Sequence, residues 1–228
     1  MRTGAVAGFL PSRSGFAFQN RWPAGPAFEW RVRYLRIGIG DVAEGLCGGM
    51  CFAAADRFTR GQAPPADTSP PAAGSPLFAE IAHRQLDSLE LGLSPVRFWL
   101  AAARRRSGRW TAADQIGEWR AIRADIDAGL PAMLGLVRSA AVNPFALTKN
   151  HQVLGHAYEA GPARATIRIY DPNHPGRDDV SIELRIGGVM STDEVEETSA
   201  GDPVSLAQST GEPLLALLRL PYRPVPAR

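Results

Sequence analysis

The sequence predicts an α+β chain in which a helical N-terminal lobe packs against an antiparallel β-sheet lobe. Helical periodicity occupies the stretch from about Gly48 to Gly129, and strand-like runs fill the stretch from Leu130 to Tyr222. Helices first and strands afterwards indicate segregated layers rather than alternating βαβ units. The chain has 228 residues, 45% of them hydrophobic and 21% charged, which suits one compact globular domain with two lobes. The expected division is 1–110, mainly helical, and 111–228, mainly β and opened by one helix.

Taken in order, residues 1–40 are rich in Pro, Gly and aromatics, as in "GFAFQNRWPAGPAFEW", and read as irregular structure with one strand in "EWRVRYLRI". A helix follows from about Gly48 to Arg60, with Met50, Ala53, Ala54 and Phe58 on one apolar face and Gly61 available as a left-handed cap. The Pro/Ala-rich "GQAPPADTSPPAAGSP" has no periodicity and reads as loop. Ser75-Pro76 and Ser94-Pro95 each place a Ser cap before Pro at the first helical position. The stripes that follow are Phe78, Ile81, Ala82, Leu86, Leu89 and then Phe98, Trp99, Ala102, Ala103. "TAAD" at Thr111 resembles a capping box with Asp in place of Glu, and opens a helix that turns Ile116, Trp119, Ile122 or Arg123, and Ile126 toward the core. "LPAMLGLV", "HQVLGHAYEA", "ATIRIYDP", "VSIELRI" and "PLLALLRLPY" read as strands, with a polar loop, "EETSAGDPVSLAQSTGEP", between the last two. The tail "RPVPAR" reads as loose.

Composition removes several function classes. A net charge of +2 is too small for a nucleic-acid binder, and "ARRRSGR" at Ala103–Arg109 reads as a solvated helix end. No apolar stretch approaches the ~20 residues of a membrane-spanning helix. "MRTGAVAGFLPSRSG" lacks the pattern of a secretory signal, and the two cysteines, Cys47 and Cys51, have a spacing that favours neither a disulfide nor a zinc site. A cytoplasmic protein without metal or other cofactor is the expectation.

The chemistry gathers at three places. Cys47 immediately precedes a helix, where unpaired N–H groups and the macrodipole favour an anion and lower a thiol pKa. Gly48 and Gly49 are poor helix formers, and the expectation is that they leave the backbone open to a substrate carbonyl. Cys51 lies one turn deeper, where a thiol acts as a small hydrophobe. In "HQVLGHAYEAGPARATIRIYDPN" the turn signal "AGPA" joins two strands. With the turn centred near Gly161, opposed residue numbers sum to about 322, which sets His151 against Asp171 with Cβ atoms ~4.5–5.5 Å apart. A one-residue shift brings Asn173 instead, so Asp171 and Asn173 are both candidate partners. A carboxylate or amide facing an imidazole fixes its tautomer and raises its basicity. His156 falls on the opposite strand face, and with His83 and His174 it is read as structural. A metal set of His151, Asp171 and His174 is not supported by ligand geometry.

These motifs resemble the papain-like cysteine peptidase superfamily, within it the branch related to bacterial peptidases that trim double-glycine leader peptides. The residues that carry the resemblance are Cys47-Gly48 opening a helix, His151-Gln152-Val153-Leu154 beginning a strand, and Asp171-Pro172 closing the next strand. It spans roughly Asp41 to Asn173, by short motifs. It implies a papain-like fold and a catalytic triad of Cys47, His151 and Asp171, with Asn173 as the other orienting candidate. One departure stands out. Such enzymes carry a Gln several residues before the Cys, but "YLRIGIGDVAEGL" has neither Gln nor Asn, and Asp41 stands near that position. An ionised Asp cannot donate to an oxyanion. Gln19 and Asn20 are the alternative donors. A peptide or another amide or acyl compound is the implied substrate. An acyl or amide transferase using the same triad, and a non-catalytic binding protein on the same scaffold, are the rival readings.

Overall fold

The computed structural model describes residues 1–23, 25–32, 35–41, 45–90, 93–141, 150–186 and 204–225, with only the backbone at 26–32 and 35–41. The side chain of Asp41, Lys149, residues 196–203 of the predicted polar loop and the last three residues lie outside that set.

An α+β architecture is observed. The strands are β1 (Arg2–Ala5), β2 (Pro26–Val32), β3 (Leu35–Asp41), β4 (Ala132–Val137), β5 (His151–Ala160), β6 (Arg164–Tyr170), β7 (Ser181–Ile186), β8 (Val204–Gln208) and β9 (Ala216–Leu220). The helices are α1 (Pro11–Ser14), α2 (Cys47–Thr59), α3 (Pro76–Ser88), α4 (Leu93–Arg106) and α5 (Ala112–Asp127). Seven strands form a curled antiparallel sheet in the order β8-β7-β6-β5-β4-β9, with β1 added to β5. β2 and β3 pair with each other in a separate hairpin. No helix among the described residues is long and apolar enough to cross a membrane.

Burial patterns follow from what covers each strand. β4 is buried at every position, and so are the first six residues of β5, because helices α2 and α5 both pack against β5. β6 and β7 alternate between buried and more exposed positions, as strands covered on one face do. β9 is a sheet edge, and α5 closes part of it. The Gln115 amide donates to the Leu217 carbonyl (3.0 Å) and accepts from the Leu217 N–H (3.1 Å), while Glu118 accepts from Arg219 N–H (2.6 Å). Pairing such an edge removes a template for aggregation.

Two helix starts behave as their local sequence requires. Ser75 accepts from Phe78 N–H, and Thr111 and Asp114 form a reciprocal capping box. Ser94 does not cap. α4 already begins at Leu93, and the buried Ser94 hydroxyl donates to Glu90 (2.9 Å). Leu86 and Trp99, expected in the core, are 46% and 42% exposed, whereas Arg84 and Ser88 are buried in their neighbourhood. The N-terminal stretch holds more order than expected, since β1, α1 and a two-strand hairpin replace one strand in irregular chain. Residues 223–225 of the tail are also tied down. Arg84 donates to Arg223 O (3.0 Å), Arg60 to Val225 O (2.9 Å), and Val225 N–H to the buried Asp56 (3.2 Å).

The glycine pair after Cys47 has a packing cause, which corrects the expectation of a substrate opening. A Cβ on Gly49 would sit 2.1 Å from the Ile81 carbonyl oxygen, and one on Gly48 would sit 2.2 Å from Gln152 Oε1 and 2.3 Å from Ser88 Oγ. Both glycines therefore let α3 and β5 approach α2 closely. The obstacle at Gly49 is backbone, so Gly49→Ala is expected to destabilise the fold by about 2–3 kcal/mol, read from urea unfolding midpoints.

Candidate active site

The start of α2 presents Cys47. Gly45 turns the chain with φ +91, and Leu46 N–H donates to Asn20 Oδ1 at 2.6 Å, which anchors the entry to the helix. Cys47 is partly exposed, whereas Cys51 is buried and donates its S–H to the Gln152 carbonyl (3.5 Å); both are free thiols. Cys51 packs in the core, as its position one turn deeper implies.

His151 opens β5 and pairs in register with Leu136 of β4. The β5–β6 hairpin turns through Gly161 to Ala163, and its pairs include Ala160↔Ala165 and Leu154↔Tyr170, so the centre lies later than the sequence arithmetic placed it. A bulge at His156 shifts the register again. The ladder ends at Leu154 and Tyr170, and Asp171 then leaves it through a turn closed by His174 N–H on the Asp171 carbonyl (2.9 Å). The departure carries the carboxylate to His151, with Nε2 at 2.7 Å from Oδ1.

Asp171 is the partner and Asn173 is not. Asn173 instead donates its backbone N–H to Asp171 Oδ1 (2.8 Å), an Asx-turn contact, and its side-chain oxygen accepts from Asn20 Nδ2 (3.3 Å). Asn20 also donates its N–H to the Pro172 carbonyl (3.0 Å). This one residue thus links the turn before Cys47 to the turn after Asp171. Gln19, the other oxyanion candidate, is exposed, and only Asn20 stands against the helix entry.

Charge follows from these contacts. Burial alone would raise the Cys47 thiol pKa, but a hydrogen bond and the charge of His151, with N–H groups of Gln152 and Gly48, bring it below its ordinary value. Burial would lower the His151 pKa, yet the Asp171 carboxylate and the contact with Cys47 raise it to about 9. Burial would raise the Asp171 carboxyl, and His151 together with the Asn173 N–H holds it at about 2. All three shifts favour the charged forms, a thiolate at Cys47, an imidazolium at His151 and a carboxylate at Asp171. The Cys51 pKa moves the other way, pushed well up by burial and by the charges of Cys47 and Asp171.

The sequence reading missed one contributor, Gln208 on β8, whose Nε2 donates to Asp171 Oδ2 at 2.8 Å. Alternation in "VSLAQ" was the available signal for that strand, inside what read as polar loop. The remaining histidines stand elsewhere. His156 is buried against Phe9, and burial lowers its pKa to about 4. His174 faces Glu212 at 3.1 Å, and His83 Nδ1 lies 2.6 Å from the Ala79 carbonyl. Among the described residues no group of three His, Cys, Asp or Glu could hold a metal ion.

No family model, no curated protein and no solved structure matches this chain.

Proposed function

We propose that the chain is a cysteine hydrolase of papain-like type that cleaves a peptide or another amide or acyl bond. The observation that supports this best is the connected row of a partly exposed Cys47 and the buried His151 and Asp171, drawn from a helix tip and a sheet, with a lowered thiol pKa at one end and an ionised carboxylate at the other.

Asp171 occupies Nε2 of His151, which leaves Nδ1 to exchange a proton with Cys47. The thiolate attacks an acyl carbon, the C–S bond forms, and the imidazolium gives its proton to the leaving nitrogen as the C–N bond breaks. Water then enters the thioester. His151 takes its proton, the C–O bond forms and the C–S bond breaks, restoring the thiolate. The Cys47 N–H, in the first turn of α2, is the backbone donor to the oxyanion in this scheme. Asn20 is the side-chain donor best placed to join it, because Leu46 N–H fixes its oxygen and leaves the second Nδ2 hydrogen uncommitted by Asn173.

Incubation with p-nitrophenyl acetate followed by acid quench and mass spectrometry tests the reading. One acetyl group is expected on the peptide that contains Cys47, at the sulfur, and none on a Cys47→Ala chain. Acetylation spread over Arg-flanked surface residues, or confined to Cys51, contradicts it.

A further inference from the structure

We infer that Gln208 is a positioning residue for the Cys47–His151 pair: an amide on the edge strand β8, itself oriented by Arg138, that locks the Asp171 carboxylate in the plane His151 requires. The inference rests on the proposed roles of Cys47, His151 and Asp171.

Gln208 and Asp171 are 5% and 1% exposed, so bulk solvent does not reach the pair. Arg138 Nη2 donates to Gln208 Oε1 at 3.0 Å. A guanidinium has only donors, so it must meet the amide oxygen, and this turns the NH₂ end toward Asp171. Each carboxylate oxygen of Asp171 then has its own donors: His151 and the Asn173 N–H on Oδ1, Gln208 on Oδ2. Rotation of the carboxylate would break contacts on both oxygens at once. Without Gln208 the Oδ2 atom is buried and lacks this donor, and the carboxylate is free to swing away from His151.

Register supports the same role. Gln208 pairs with Ile182 at the end of β8, the outermost described strand on its side of the sheet, and reaches past the start of β7 to the residue that follows β6, 37 positions earlier. Satisfying Arg138 alone would not require an amide there, since a carboxylate would do it better. A second carboxylate would, however, stand against Asp171. An amide is the side chain that accepts from the guanidinium and donates to the carboxylate.

The charged and titratable groups around the pair are Cys47 and Cys51 on α2, Tyr170 at the end of β6, His174 with its partner Glu212, and Arg138. None of these supplies the Oδ2 contact among the described residues. Loss of Gln208 is therefore expected to weaken the hold of Asp171 on His151, and so to weaken the support that the imidazolium gives the thiolate.

Alkylation of Cys47 by iodoacetamide, followed by mass spectrometry between pH 4 and 10 on the full chain, reads this without a known substrate. Gln208→Leu is expected to move the acid limb of the rate profile up by about one pH unit, a roughly tenfold slower reaction at any pH on that limb. Gln208→Asn, one methylene too short to reach both partners, is expected to shift it in the same direction, and Arg138→Met to do so less. These two keep the measurement possible where the leucine chain does not fold. Profiles that coincide with the natural chain, with only a lowered melting temperature, overturn the inference and leave the proposed chemistry standing. An ordinary thiol profile in the natural chain overturns both.

Discussion

Cys47→Ala is expected to lower turnover of an amide or ester substrate by about 10⁴–10⁶-fold, with stability changed by no more than about 1 kcal/mol. His151→Ala is expected to lose nearly as much, and the double variant little more than either single one, because in the proposed roles nucleophile and base act as a unit. The contrast residue is Cys51. It is buried, its S–H donates to a backbone carbonyl, and its thiol pKa is raised, so it has no nucleophilic character near neutral pH. Cys51→Ala is expected to retain turnover. Steady-state rates on the four chains check the set, and a Cys47→Ala chain with natural turnover removes the thiol from the chemistry.

Arg84→Met is expected to cost about 3–5 kcal/mol of folding free energy, measured by urea denaturation. Arg84 is 8% exposed and reaches from α3 to α2 and the tail. Its Nε is 2.8 Å from Asp56 Oδ2 and its Nη1 2.7 Å from Asp87 Oδ2, and its guanidinium stands over the Phe52 ring at 4.7 Å. Removing it leaves Asp56, 3% exposed, with only the Tyr222 hydroxyl (2.7 Å) and the Val225 N–H (3.2 Å) among these donors. Those contacts do not offset the loss of the cation, because an ion left buried without its partner bears most of its desolvation cost. The paired change Asp56→Leu with Arg84→Met is expected to recover most of the stability. A loss below about 1 kcal/mol for Arg84→Met would mean that water reaches this network.

Features set by neighbours in sequence were legible, and those set by distant chain were not. The Thr111–Asp114 box and the Ser75 cap each close within four residues, so the local pattern determines them. His151 and Asp171 were paired by hairpin arithmetic although the assumed turn centre was early. Asp171 leaves the ladder after Tyr170, and that turn returns its carboxylate to His151. β1 carries no periodicity in "RTGA", and it is a strand because β5 offers it backbone partners beyond the end of β4. The glycines at 48 and 49 are anomalous in a helix, but their cause lies in Ile81, Ser88 and Gln152, which sequence does not place nearby. Gln208 was invisible for the same reason. An amide far along the chain has no local sign that it faces a carboxylate, and a buried Arg84 on an apolar stripe shows nothing of its partner on another helix.

The proposed thiolate–imidazolium pair is open to direct titration. The folded His151 pKa lies above its ordinary value, so its contribution to stability is complete below pH ~6.5 and disappears as pH rises through about 9. The folded Cys47 pKa lies below its ordinary value, so its thiolate persists to lower pH than that of a free thiol, near ~8.5. The alkylation rate of Cys47 against pH, in a Cys51→Ala chain, should therefore rise in an acid step below the free-thiol value, hold a plateau, and change again near 9 as His151 loses its proton. A single step at the free-thiol value, with no plateau beneath it, would contradict the pairing on which the enzymatic reading stands.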